Sequence, residues 1–276
     1  MKNGTQGSAP LRVVVTGGVS GLGLATALRF AKDGAQVLLA DVNEGAAPAA
    51  IEAIGKAGGT AHFAGCNVTD NASIKVLTEA AKAHLSGCDV LVNNAGIAGA
   101  GTLADTSDEE WHRMLDVDLM SVVRVTRAFL PLLTDGGGHV VNIASFAGIA
   151  QAPGMIAYNV AKAGVIAFSE SLRSEVAKQG VQVSVVCPSF FRTNLVESMT
   201  SADEDTRSFV LHLMDKSRTS ADDVADAIAS AVEEKRFMVL THRETRAPYL
   251  LKRLMPEAYF KQLLSDAWGK GRSELP

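Results

Sequence analysis

The chain has only three cysteines, Cys66, Cys88 and Cys187, odd in number and far apart. That excludes a disulfide framework or a cysteine metal cluster and fits reduced thiols in a cytosolic protein. Each lies in or beside an apolar run and reads as a small buried residue. Positive charge is not in excess either. The formal net charge is -4, so neither nucleic acid nor an anionic membrane surface is an expected partner. No apolar run is long enough to span a bilayer. Residues 1–10 are rich in Gly, Ser and Thr, lack an apolar run, and read as a disordered lead-in instead of a secretory signal. Without secretion, the sequons at Asn3, Asn67 and Asn71 read as chance. The six histidines show no ligand spacing, so no metal is expected and surface or capping roles are assigned to them. Linkers and repeats are missing too. The reading is one domain over residues 11–241, with residues 242–276 as an amphipathic helical extension of it.

What is present is 47% apolar residue against 20% charged, enough for a substantial core in a chain of 276 residues. Leu11–Thr16 is a β-branched run of the kind buried parallel strands use. Gly17-Gly-Val-Ser-Gly21-Leu-Gly23 follows, then a helical pattern to Lys32. Strand, glycine turn and helix form the context of a dinucleotide fingerprint: backbone approaches a pyrophosphate closely, and the helix start offers free N–H groups. Strand Gln36–Ala40 ends at Asp41, about 20 residues past the glycines, where a carboxylate accepts hydrogen bonds from a ribose. It would also repel the extra phosphate of NADP, and no Arg or Lys stands nearby to receive one. A turn cap is the other reading of Asp41.

Further strands are expected at Thr60–Gly65, Asp89–Val92, His139–Ala144, Val181–Val186 and Phe237–Leu240. Helices are expected at Gly45–Lys56, Asp70–Leu85 and from Thr106 or Ser107 to Leu133. Others are expected at Met155–Lys178 and Ala221–Glu233, the last capped by Ser220. Ala147–Pro153 reads as a loop. Asn194–Arg218 reads either as a mobile lid over an apolar substrate or as two ordinary amphipathic helices. This alternation implies an α/β fold with a seven-stranded parallel sheet, doubly wound, helices on both faces.

On the long helix, Tyr158-Asn-Val-Ala-Lys162 places a phenol and an ammonium one turn apart on one face. A phenol keeps its proton to about pH 10, and a nearby ammonium pulls that value down. A tyrosine so placed can exchange a proton with an alcohol or carbonyl.

Together, Thr16–Gly23, Asn93-Asn94-Ala95-Gly96, Ser145 and Tyr158…Lys162 resemble the short-chain dehydrogenases/reductases over about Leu11–Leu240, in their compact branch. The resemblance implies a Rossmann-type sheet and hydride transfer between NAD and a secondary alcohol or ketone. It implies Tyr158 as acid/base, Lys162 as the residue that lowers the Tyr158 pKa and binds the nicotinamide ribose, and Ser145 as donor to the substrate oxygen. Gly17, Ser20, Gly21, Leu22, Gly23, Asp41, Asn67, Val68, Asn94, Ala95, Gly96, Pro188, Phe191 and Thr193 would join Tyr158 and Lys162 around the cofactor, with Asn93 lining the adenosine side. A homodimer or homotetramer is implied, through the helices of Trp111–Leu133 and Met155–Lys178.

Three positions depart from the family pattern: Asn67 for Asp, Ser189 for Gly, and Asp118 for an Asn that kinks a helix and holds a water feeding protons to the lysine. Asp118 is therefore expected either to position water or to pair with Lys162. An NADPH-dependent carbonyl or ketoacyl reductase, or a catalytically impaired NAD-binding protein, are the alternatives. Phe146, Ile149, Pro153, Met155 and Phe190 suggest an apolar substrate pocket.

Overall fold

A computed structural model describes residues 9–134, 136–191, 214 and 217–268. Seven parallel strands form one sheet: β1 (Arg12–Thr16), β2 (Gln36–Asp41), β3 (Thr60–Gly65), β4 (Val90–Asn93), β5 (His139–Ile143), β6 (Gln182–Cys187) and β7 (Met238–Leu240). Their order is β3-β2-β1-β4-β5-β6-β7. The order reverses between β1 and β4, where Val13, Val14 and Val15 pair with Val90, Leu91 and Val92. At such a switch point the connections leave in opposite directions and open a crevice beyond the strand ends.

Strand residues point alternately to the two faces, so each strand feeds two cores. Val13, Val15, Val37, Leu39, Val90 and Val92 face one layer, built by α1 (Gly21–Ala31), α2 (Ala47–Lys56) and α8 (Ala221–Glu233) through Phe30, Ile54 and Ile228. Val14, Leu38, Leu91 and Val140 face the other layer, built by α3 (Asn71–Leu85), α5 (Ser121–Thr134) and α7 (Ile156–Glu175) through Leu77, Phe129 and Leu172. Burying each such Leu, Ile or Phe stabilises the fold by about 1.5–3 kcal/mol.

Local chemistry sets the helix ends. Asp70 caps α3 by accepting from Ala72 N and Ser73 N. Ser107 with Glu110, and Ser220 with Asp223, form capping boxes at α4 (Asp108–Leu115) and α8.

Three expectations change. The helix expected to run unbroken to Leu133 is divided: α4 passes into a π-helical segment, Asp116–Met120, before α5 begins. The extra residue per turn rotates Asp118 to full burial. The expected loop after Ser145 begins with a single helical turn, α6 (Ala147–Ala150). The expected helix to Lys178 ends at Glu175, and Ala177–Gln179 is a 3-10 turn.

Beyond β7 the chain forms α9 (Arg246–Leu254) and α10 (Pro256–Trp268), the expected extension. Lys252 Nζ donates to Ile149 O at 2.5 Å and Tyr259 Oη to Ala150 O at 2.9 Å, which ties these helices to α6. Among the described residues no helix is long and apolar enough to cross a membrane. The lead-in residues 1–8 and most of the candidate lid lie outside the described residues.

Candidate active site

A cleft of about 500 Å³ lies over the switch point. Gly17, Ser20, Gly21 and Leu22 border one end with Asp41, Asn67 and Val68. Asn94, Ala95 and Gly96 form its floor, and Ser145, Tyr158, Lys162, Pro188 and Phe191 the far end. Most of the sequence-expected residues thus converge; Ile149 and Pro153, expected in an apolar substrate pocket, do not line the cleft, and four further positions stand apart. Gly23 does not line the cleft: a Cβ there would stand 2.0 Å from Gly17 O, so it is the packing seat of the glycine turn. Asp118 lies behind Lys162 and not on the cleft wall. Thr193 lies outside the described residues.

Asn93 is the fourth. It points away from the cleft, and its Nδ2 donates to Thr126 Oγ1 at 2.9 Å and Asn142 Oδ1 at 2.8 Å. Asn142 donates on to Ser169 Oγ at 2.9 Å. That buried network stitches β4 and β5 to α5 and α7.

The glycine turn is held by groups the motif alone does not assign. Gly17 takes φ +62, a conformation that favours glycine. Thr16 Oγ1 accepts from Asn94 N at 2.9 Å and Ala95 N at 3.1 Å, while Asn94 Nδ2 donates to Thr16 O at 2.9 Å and Gly17 O at 3.0 Å. Thr16 ends β1 beside β4, and that adjacency was the available signal. Asp41 accepts from Val19 N at 3.3 Å and Asn43 N at 3.0 Å, so it does cap a turn while bordering the cleft. A carboxylate has about four lone-pair sites, which leaves acceptor capacity for a ribose.

At the far end, Ser145 Oγ accepts from Ala147 N at 3.1 Å and donates to Pro188 O at 3.4 Å. Lys162 Nζ sits 5.6 Å from the Tyr158 ring centre, donates to Ile143 O at 3.4 Å, and stands 3.1 Å from Asp118 Oδ2. Asp118 Oδ1 accepts from Ile97 N at 2.7 Å; Oδ2 is in ion-pair contact without an aligned hydrogen bond.

Burial pushes the Tyr158 phenol above its ordinary range; Lys162 opposes this, Asp118 adds to it, and a hydrogen bond with Ser145 opposes it. The expected acidification by Lys162 is therefore present but outweighed. Burial is the largest influence on the Lys162 ammonium and would lower it, yet Asp118, with Tyr158 and Cys187, together outweigh it and hold the lysine above its usual value. Burial raises Asp118, against the pull of Lys162 and the Ile97 N–H. Ion-pair contact and a backbone donor together favour the charged pair.

Two histidines depart from the expected surface roles. His139 is buried against Ser184 Oγ at 2.8 Å. His242, also buried, accepts at Nδ1 from Ser189 N at 3.2 Å, and its Nε2 donates to Phe190 O at 3.2 Å. It thereby braces the 188–191 segment that walls the cleft. Its place directly after β7, on the strand-end side, was the one sequence signal. His84 and His112 are exposed as expected, His84 stacking on His62 at 4.4 Å. The three cysteines are free and buried. No metal-binding cluster of His, Cys, Asp and Glu occurs among the described residues.

Fold and cleft together define a Rossmann-type protein with its site at the sheet's switch point. More narrowly, the chain belongs to the short chain dehydrogenase family, whose model matches residues 12–204. It is 36% identical over 256 residues to the probable oxidoreductase EphD of Mycobacterium tuberculosis, covering 89% of this chain and 43% of that one. The chain thus spans less than half of the length of that relative. The 3-oxoacyl-[acyl-carrier-protein] reductase FabG of Haemophilus influenzae is 36% identical over 217 residues, 78% of this chain and 88% of its own. A short chain dehydrogenase/reductase of Burkholderia phymatum, solved in complex with NAD, superposes with a TM-score of 0.83 at 29% identity, covering 88% and 93% of the two chains.

Proposed function

We propose that this protein transfers hydride between NAD and a secondary alcohol or ketone of apolar character. The observation that carries the reading is the buried Tyr158, with Lys162 on its helix and Ser145 facing it, at one end of a cleft whose other end holds the glycine turn and Asp41. Gly17, Ser20, Gly21 and Leu22 would hold the pyrophosphate, Asp41 the adenosine ribose, and Lys162 the nicotinamide ribose. A nicotinamide bound there supplies or accepts the hydride.

Ser145 donates to the substrate oxygen and fixes it within reach of Tyr158. In reduction Tyr158 releases its proton to that oxygen; in oxidation the phenolate takes the proton back. Phe146, Met155, Phe190 and Met214 line the substrate end, which supports an apolar substrate.

The test is a panel of secondary alcohols and ketones, followed by the absorbance of the reduced nicotinamide with NAD and with NADP. NAD-linked turnover is expected. Asp41→Ala removes the charge that opposes the extra phosphate, and about 1.4 kcal/mol of relief shifts the NADP-to-NAD preference about tenfold. NADP used as well as NAD by the native protein would overturn the cofactor assignment.

A further inference from the structure

Asp118 is fully buried, and the lysine it touches is 5% exposed. Its Oδ1 is fixed by the Ile97 N–H at 2.7 Å, and Oδ2 reaches Lys162 Nζ at 3.1 Å. The π-helical turn delivers it there, since an unbroken helix would aim residue 118 elsewhere. The pair lies directly behind Gly96, where a Cβ would stand 3.4 Å from both Asp118 Oδ1 and Lys162 Nζ. We propose that Asp118 is a positioning residue that cancels the Lys162 charge, keeps Tyr158 protonated, and so readies the site to reduce a carbonyl at neutral pH. This rests on the oxidoreductase reading above.

Charge balance governs this buried space. Asp118 and Lys162 sum to zero, so the phenolate of Tyr158 would leave a net negative site, which burial disfavours. The other groups facing this cluster do not alter the balance. Arg113 acts on Asp118 from α4, Cys187 acts on Lys162 from β6, and Ser145 acts on Tyr158 from the end of β5. Cys187 is itself pushed up to about 12 by burial and stays a neutral thiol.

In reduction a nicotinamide held by the cleft would supply the hydride to the substrate carbon, the C=O π pair would move onto oxygen, and the Tyr158 O–H would break to give that oxygen its proton. The phenolate is left beside an oxidised nicotinamide that carries one positive charge. Tyr158, Lys162, Asp118 and the ring therefore sum to zero both before and after the step. The reverse direction needs the phenolate at the outset; Asp118 leaves that form one unit more negative than a neutral residue at position 118 would, and so makes it scarcer. The enzyme does not move the overall equilibrium; Asp118 sets what fraction of sites stands ready for each direction.

The test needs no turnover in its first arm. Tyr158 is titrated by its phenolate ultraviolet difference spectrum, with Tyr158→Phe subtracted to remove the other two tyrosines. Asp118→Asn keeps the shape and the Ile97 contact while removing the charge. It is expected to lower the Tyr158 midpoint by about one pH unit or more, and to raise alcohol oxidation at neutral pH about tenfold. An unmoved midpoint would overturn the proposal. A merely structural role for Asp118 would lower stability without moving that midpoint.

A second arm uses only the native protein. Its oxidation rate is expected to climb through the alkaline range while reduction stays flat near neutrality; oxidation already flat at neutral pH would equally sink the idea. If no alcohol or ketone turns over, the spectral arm still decides the Asp118 assignment, and the oxidoreductase reading falls alone.

Discussion

At the scale of single residues, the site is decided by who stands within a few ångströms of Tyr158. The phenol is buried, and Lys162 and Ser145 pull on its proton against Asp118 and the loss of water. Tyr158→Phe removes only the Oη and keeps the ring that packs with Met114, Ala157 and Ala161. Turnover should fall by about 10²-fold or more, the range set by loss of a general acid. Binding of the nicotinamide cofactor, read by quenching of the protein's tryptophan fluorescence or by calorimetry, should persist. Near-native rates in that variant would move the proton-transfer role to another group.

At the scale of elements, the far wall of the cleft is the 188–191 segment after β6, and its brace comes from beyond β7. His242 accepts from Ser189 N and from Thr241 Oγ1 at 2.8 Å, which fixes its proton on Nε2, opposite Phe190 O. His242→Ala leaves the Ser189 N–H without its partner. Unfolding stability should drop by about 1–3 kcal/mol, the cost of a buried unmatched donor. The nicotinamide cofactor should bind more weakly in the same variant, because Pro188 and Phe191 line the far end of the cleft beside Tyr158 and Lys162. Calorimetry of binding beside a urea titration separates the two effects; unchanged affinity would show that the wall holds without its brace.

For the whole molecule, buried histidines link stability to acid. His139, in the sheet and bonded to Ser184, is pulled from 6.5 to about 4, chiefly by burial and then by Lys235. Its folded value lies below the unfolded one, so the unfolded chain binds the extra proton between them. The contribution is complete above pH 6.5 and is lost as pH falls toward 4. The difference amounts to about 3 kcal/mol. His242 is shifted the same way by burial. Urea midpoints should therefore fall across this window, and His139→Gln should flatten the fall; an equally steep loss in that variant would place the acid sensitivity elsewhere.

The sequence by itself determined the strand–glycine–helix start, the seven strands and their alternation with helices, and the Tyr158–Lys162 pair, because each is written in local periodicity or short spacing. It also put Asp41 at a strand end, where its backbone-capping bonds and its place on the cleft could both be expected. Only the tertiary structure decided that Asn93 serves the core and Asn94 the cleft. Adjacent strand residues face opposite ways, and which way depends on pairing with β5. Only the fold brought His242 against Ser189, across 53 residues of chain. And only the π-helical turn, invisible in the hydrophobic pattern, turned Asp118 inward onto Lys162, because one added residue per turn changes the face that every later side chain occupies.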